Sequence, residues 1–149
     1  MDTPDDPARD GTAPEFPTFA PTDRCPCGLG EEFAACCHRL LAGAPAPSAE
    51  ALMRSRYTAF VVGDGHYVLA TWHPQTRPAR LSLDPADRWL GLHILERSGG
   101  GPFDTEGTVE FVARFEDADG TRGRLHERSR FVRIDGRWCY LAGDVAPAH

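Results

Sequence analysis

The chain has 149 residues, 41% of them hydrophobic and 26% charged, with a formal net charge of −6 at pH 7. That length suits one domain with an appendage, and no apolar run approaches the roughly 18 residues of a spanning helix, so a helical membrane protein is excluded. The acidic balance argues against sequence-blind nucleic-acid binding, which depends on neutralising phosphates. All 16 basic residues are Arg, which removes Schiff-base lysine chemistry and a phosphate-binding lysine. The first residues, MDTPDDPARDGTAPEF, offer neither the basic start nor the apolar stretch of a secretory signal, so a cytoplasmic location is expected.

Residues 1–24 hold five Pro and six acidic residues against two Arg. Such a segment buries too little apolar surface to offset its ordering entropy, and it is predicted to be a disordered acidic tail in which Phe16 and Phe19 are the two aromatics able to dock. Residues 25–41, CPCGLGEEFAACCHRLL, hold four of the five Cys. Gly28 and Gly30 mark a tight turn, and a short helix is predicted over Glu31 to Leu41. Residues 42–47, AGAPAP, read as a linker. Ser48 is a good N-cap, and Met53, Tyr57 and Phe60 recur at helical spacing on one face of the helix that follows. Gly63 ends it. Asp64 caps a second short helix through His66 to Thr71, stopped by Pro74. Residues 75–85 are irregular, with a turn of helix expected around Pro85 to Asp87.

The rest reads as strands. Over residues 88–97, Leu90, Leu92 and Ile94 alternate with Trp89, Gly91, His93 and Leu95. A long hairpin loop, SGGGPFDTEG, follows. Residues 107–116 place Val109, Phe111, Ala113 and Phe115 on one parity. Asp119-Gly120 and Asp135-Gly136 are hairpin signals, flanking an Arg-rich strand over 122–134 and a last strand over 137–145. Helices followed by four hairpin-linked strands give an α+β domain over residues 48–149, a curved antiparallel sheet wrapped around helices. That curvature would bury both Trp89 and Trp138.

The spacing Cys25-x-Cys27-x8-Cys36-Cys37 suits four thiolates around one tetrahedral Zn²⁺, with bonds of about 2.3 Å. Four filled positions leave no room for substrate water, so the ion would be structural. For so short a segment, metal binding supplies most of the folding energy. Three other readings compete: a disulfide, which a reducing compartment disfavours; a redox thiol site, which lacks the C-x-x-C spacing; and His38 replacing Cys37 as fourth ligand. Cys139 reads as a small buried hydrophobe.

The stretch CPCGLGEEFAACCH (25–38) resembles the SEC-C zinc motif, first known from the tail of the bacterial preprotein translocase motor. The resemblance implies Cys25, Cys27, Cys36 and Cys37 as the ligands of a structural Zn²⁺. Phe33 stands for the motif's aromatic, and Leu29 stands where the motif usually has Ser. The stretches LMRSRYTAF (52–60), TWHP (71–74), WLGL (89–92), FVARF (111–115) and ERSRF (127–131) are similar to the YchJ family. That likeness implies a nuclear-transport-factor-2-like (cystatin-like) cone with a central pocket behind a small N-terminal zinc knuckle. The family offers no established activity to carry over.

Pocket candidates are Tyr57, Trp72, His73, Trp89, Glu127, Arg128, Arg130 and Trp138, since a mouth of aromatics with a few polar groups is the usual form of a small-molecule site. Each has a structural reading too: core tryptophans, a helix-terminal histidine, a solvated Arg face. Glu127 and Ser129 must face opposite Arg128 and Arg130: inward arginines would suit a carboxylate or phosphate ligand, whereas an inward Glu127 could pair with Arg54 or Arg56 or take a proton. The Gly99-Gly100-Gly101 run does not lead from a strand into a helix and is no phosphate loop. The favoured function is a binding or adaptor protein, with a protein or ribonucleoprotein partner on the zinc knuckle and a small ligand in the cone. In that reading Cys36→Ser abolishes partner binding while the main domain still folds. The alternative is an isomerase, dehydratase or hydrolase acting on a small acid in the cone pocket. A homodimer through the outer sheet face is a further expectation.

Overall fold

The structure is a computed structural model, and it describes residues 13–145. The helix expected over residues 31–41 is split in two. A 3-10 turn covers Phe33–Ala35, α1 covers Cys37–Leu41, and Cys36 between them leaves the helical conformation at φ −127° and ψ −119°. Two adjacent cysteines on one regular helix point about 100° apart around its axis. Breaking the helix at Cys36 lets both aim the same way.

The long helix forms as its punctuation predicts. In α2 (Ala49–Val62) the Ser48 hydroxyl accepts from Ala51 N, and Gly63 closes the helix at φ +80°. Met53 and Tyr57 are buried, and Phe60 is half-buried on the same side. Asp64 caps α3 (Gly65–Ala70) by accepting from Tyr67 N. Residues 85–87 form a turn, not helix: Asp87 N donates to Asp84 O at 3.0 Å.

Four strands follow: β1 (Arg88–Gly99), β2 (Glu106–Glu116), β3 (Arg122–Ile134) and β4 (Arg137–Val145). They pair in chain order as an antiparallel meander. The β3–β4 turn is Asp135-Gly136, with φ values of 51° and 80°, the left-handed pair a tight hairpin needs. The inner face of β2 reads as expected, with Val109, Phe111 and Ala113 all buried. The regular alternation read over residues 88–97, with apolar residues on both faces, is broken by two bulges, at Trp89/Gly91 and Ile94/Glu96. A bulge adds one residue to one strand and shifts its alternation. Trp89 therefore joins Leu92 and Ile94 against the core, while Leu90 and Leu95 stand 45% and 49% exposed.

One core lies between α2 and the concave face of this sheet. It is built from Ala49, Leu52, Met53, Tyr57 and Val61 on the helix, and from Val109, Phe111, Ala113, Phe131 and Trp138 on the sheet. Residues 13–24, expected within the tail, carry Phe16 and Phe19 onto the body. Phe16 lies against the bare Gly63, and Phe19 packs against both the main core and the cysteine cluster. The remainder of the expected tail, residues 1–12, lies outside the described residues.

Candidate functional site

Local backbone geometry brings the four cysteines together. Arg24 and Glu32 bridge, and Cys25 N donates to Glu31 O at 2.9 Å, so residues 25–31 close into a loop. Gly28 and Gly30 turn it with φ of 83° and 101°, values that side chains with a Cβ seldom adopt. Cys25 and Cys27 sit on this loop; Cys36 and Cys37 face it from the broken helix. The four Sγ atoms lie within 4.8 Å of one another, with Cys27 and Cys36 at 3.6 Å. That is far beyond the ~2.05 Å of a disulfide and close to the ~3.8 Å edge of a tetrahedron with 2.3 Å metal–sulfur bonds. None of the four is joined in a disulfide. Cys25, Cys27 and Cys37 are buried, and Cys36 is half-buried. His38 is outside the group; its ring packs on Phe33 at 5.1 Å.

So many thiols in one place resist ionising together. Hydrogen bonds from Cys27 and Cys37 hold the Cys25 thiol low. Burial, reinforced by the charges of Cys27 and Cys25, pushes Cys36 up to about 12. Hydrogen bonds to Cys25 and Cys27 push Cys37 up as well. A divalent cation removes this opposition, because each thiolate then faces positive charge. The donor set thus fits a closed four-sulfur metal site.

The cluster is fastened to α2. Arg54 Nη1 donates to the Cys27 carbonyl at 2.8 Å, and its Nε donates to Glu50 at 2.9 Å. Glu50 also takes Arg97 from β1. Thr58 Oγ1 stands 3.9 Å from Cys25 Sγ.

A second feature lies inside the cone. A cavity of about 260 Å³ is walled by Tyr57, Phe60, Trp72, Trp89, Phe111 and Leu125, among others. Glu127 reaches into it, and its Oε2 accepts from Ser129 Oγ at 2.7 Å and from Tyr140 OH at 3.1 Å. Gly143 makes room for that carboxylate, since a Cβ there would occupy the same space. Burial pushes the Tyr140 hydroxyl up and the Tyr57 hydroxyl up to about 12, so both stay protonated.

Of the residues expected at a pocket, Tyr57, Trp72, Trp89 and Glu127 meet at this cavity and four others do not. His73 lies beyond α3, where its backbone N donates to Tyr140 O and its Nδ1 accepts from Gln75 N. Arg128 and Arg130 alternate to the outer face, Arg128 lying near Glu96 and Glu110. Trp138 is buried in the core under the Arg133 guanidinium, 4.8 Å from the ring centre. Arg54 is committed to the cysteine loop, and Arg56 makes no contact with Glu127 within ion-pair distance among the described residues. Cys139, expected buried, is half-buried. Tyr140 and Ser129 are cavity residues that sequence reasoning passed over. Ser129 shares strand parity with Glu127, which the sequence shows without fixing which face is inward; Tyr140 depends on the bulge at Arg130/Phe131, which leaves no mark in the sequence.

Residues 48–143 match the model of the middle, NTF2-like domain of YchJ, and residues 22–39 match the SEC-C motif. A UPF0225 protein of Streptomyces coelicolor is 57% identical over 125 residues, spanning 83% of this chain and 97% of that one. A UPF0225 protein of Corynebacterium efficiens is 54% identical, over 83% and 94%. The solution structure of a SEC-C motif-containing protein from Rhodopseudomonas palustris superposes with a TM-score of 0.71 at 37% identity, covering 83% of this chain and 98% of the other.

Proposed function

This chain belongs to the YchJ family, and from that premise we propose that it is a cytoplasmic zinc-binding adaptor. Its four-sulfur knuckle presents a surface to a protein partner, and its cone domain holds a pocket for a small ligand. The observation carrying the reading is the gathering of Cys25, Cys27, Cys36 and Cys37 within 4.8 Å. Zinc is favoured over other divalent ions because a closed, all-sulfur tetrahedral set is a usual structural zinc site. A protein partner is favoured over RNA by the loop's own surface. Leu29 stands 52% exposed at its tip, beside the exposed Glu31 and Glu32, and carboxylates repel phosphate. A homodimer through the outer sheet face, where Leu90 and Leu95 are exposed, completes the reading.

Native mass spectrometry of protein purified without chelator tests it in one experiment. One zinc per chain is expected, and less than a tenth of an equivalent in Cys27→Ser. The same spectrum reports whether the chain is a dimer. For the partner, Leu29→Glu should keep the metal and lose the protein captured by the wild type. If Leu29→Glu captures that protein unchanged, the knuckle is not the docking surface.

A further inference from the structure

Arg56 is the charge that nothing so far accounts for. It lies in the middle of α2, 4% exposed. Its Nη1 donates to Val68 O at 2.7 Å and to Thr71 Oγ1 at 2.8 Å, which ties α2 to α3. The guanidinium carbon stands 4.4 Å from the ring centre of Tyr140 and 5.1 Å from that of Trp72. These contacts satisfy one nitrogen and part of the π-face. None of them neutralises the charge: no carboxylate lies within ion-pair distance of Arg56 among the described residues. Glu127 is close enough for its charge to be felt but does not touch it, and burial lowers the arginine to about 10. A buried ion without a counter-charge costs several kcal/mol in general, and proteins rarely retain one unless something else answers it.

The side chain also lines the aromatic-walled cavity, and both of its hydrogen bonds among the described residues are made by Nη1. A planar guanidinium fork in an apolar cleft matches the two oxygens of a carboxylate. At about 260 Å³ the space lies near the lower edge of small-molecule sites, which run from about 300 Å³ upward. The acidic residue on the wall, Glu127, takes its two protein donors, Ser129 and Tyr140, on Oε2 and offers acceptor capacity to a ligand hydroxyl.

We propose that the cone cavity binds a small carboxylic acid with a flat apolar body, its carboxylate on Arg56, its body among Tyr57, Phe60 and Trp89, and a hydroxyl of the acid on Glu127. This deepens the reading of the cone domain as a pocket, by naming the class of ligand. It is independent of any partner on the knuckle.

Two of the three tryptophans, Trp72 and Trp89, line the cavity, so intrinsic fluorescence reports occupancy. Zinc-loaded, full-length protein is titrated with 3-phenyllactate, phenethylamine and 2-phenylethanol. The expected result is saturable quenching by the acid at millimolar concentration or below, at least tenfold tighter than by the amine or the alcohol. Arg56→Lys keeps the charge but loses the fork and should weaken the acid about tenfold. Because Arg56 also tethers α3, Leu125→Phe provides a second variant: it fills the cavity from a half-buried wall position and should abolish quenching while the melting temperature holds. If the amine or the alcohol binds as well as the acid and Leu125→Phe blocks it, the pocket stands and the acid is wrong. If no probe quenches saturably, or Leu125→Phe leaves quenching unchanged, the pocket falls with it.

Discussion

Arg54 shows how one side chain can connect a metal site to a fold. Its guanidinium bonds the Cys27 carbonyl, 27 residues away in the chain, and the Glu50 carboxylate one helical turn back. It brings positive charge to the edge of a set of four thiolates, and it orients the loop that carries two of them. Groups in this position commonly change metal affinity ten- to a hundredfold when removed. Arg54→Met should therefore keep one metal per chain but lose it to a chromogenic chelator at a concentration about tenfold lower than the wild type; equal competition curves would contradict the role. The cysteines could be read from the sequence because a ligand set confined to 13 residues shows in its spacing. Arg54 could not, because its bond to Cys27 depends on where α2 comes to lie. The same holds at the cavity. Glu127 was legible as a candidate from strand parity, whereas Arg56, placed in sequence reasoning only as a partner for Glu127, acquires its role from the rings of Trp72 and Tyr140 that the fold stacks beneath it.

At the scale of elements, the parts set by local chemistry were legible and those set by approach were not. Ser48, Gly63 and Asp64 punctuate the helices as their side chains and backbone preferences demand. The β1 bulges depend on how the sheet bends over α2, and only the fold reveals that Trp89 faces inward with Leu92. The glycine run after β1 has a packing role. Gly100 O accepts from Ala49 N at 3.0 Å, so the β1–β2 loop satisfies a free amide at the start of α2. The loop comes this close because Gly100 and Gly107 lie back to back; a Cβ on Gly107 would stand 2.5 Å from Gly100 Cα. That contact is backbone and cannot rotate away. Gly107→Ala is expected to destabilise the domain by about 1–3 kcal/mol, the usual range for overpacking, read as a lower urea midpoint at unchanged slope. An unaltered midpoint would mean that the loop is free to move off α2.

For the molecule as a whole, the question is whether the knuckle and the cone are two objects or one. The Pro-rich linker at 42–47 suggests a separate knob, and on that view losing the metal would leave the cone untouched. The contacts point the other way. Phe19 packs on Phe33 at 5.8 Å and belongs to both hydrophobic clusters. Cys25 sits by Thr58, and Arg54 holds the Cys27 carbonyl; both partners lie on the helix at the centre of the core. If metal binding folds residues 25–37, its free energy reaches α2 through these three contacts and raises the stability of the cone by linkage, by about 2.7 kcal/mol for a free metal concentration a hundred times the dissociation constant. Scanning calorimetry of the zinc-loaded protein should then show one transition, and a membrane-permeant chelator should lower its midpoint by several degrees. The far-UV strand signal should survive, because β2 and β3 pair along their full length without the knuckle. Cys36→Ser should reproduce the shift without chelator. A transition that keeps its midpoint after the metal is gone would mean that α2 does not feel the knuckle, and the contacts at Phe19, Thr58 and Arg54 would then be adjacency without coupling.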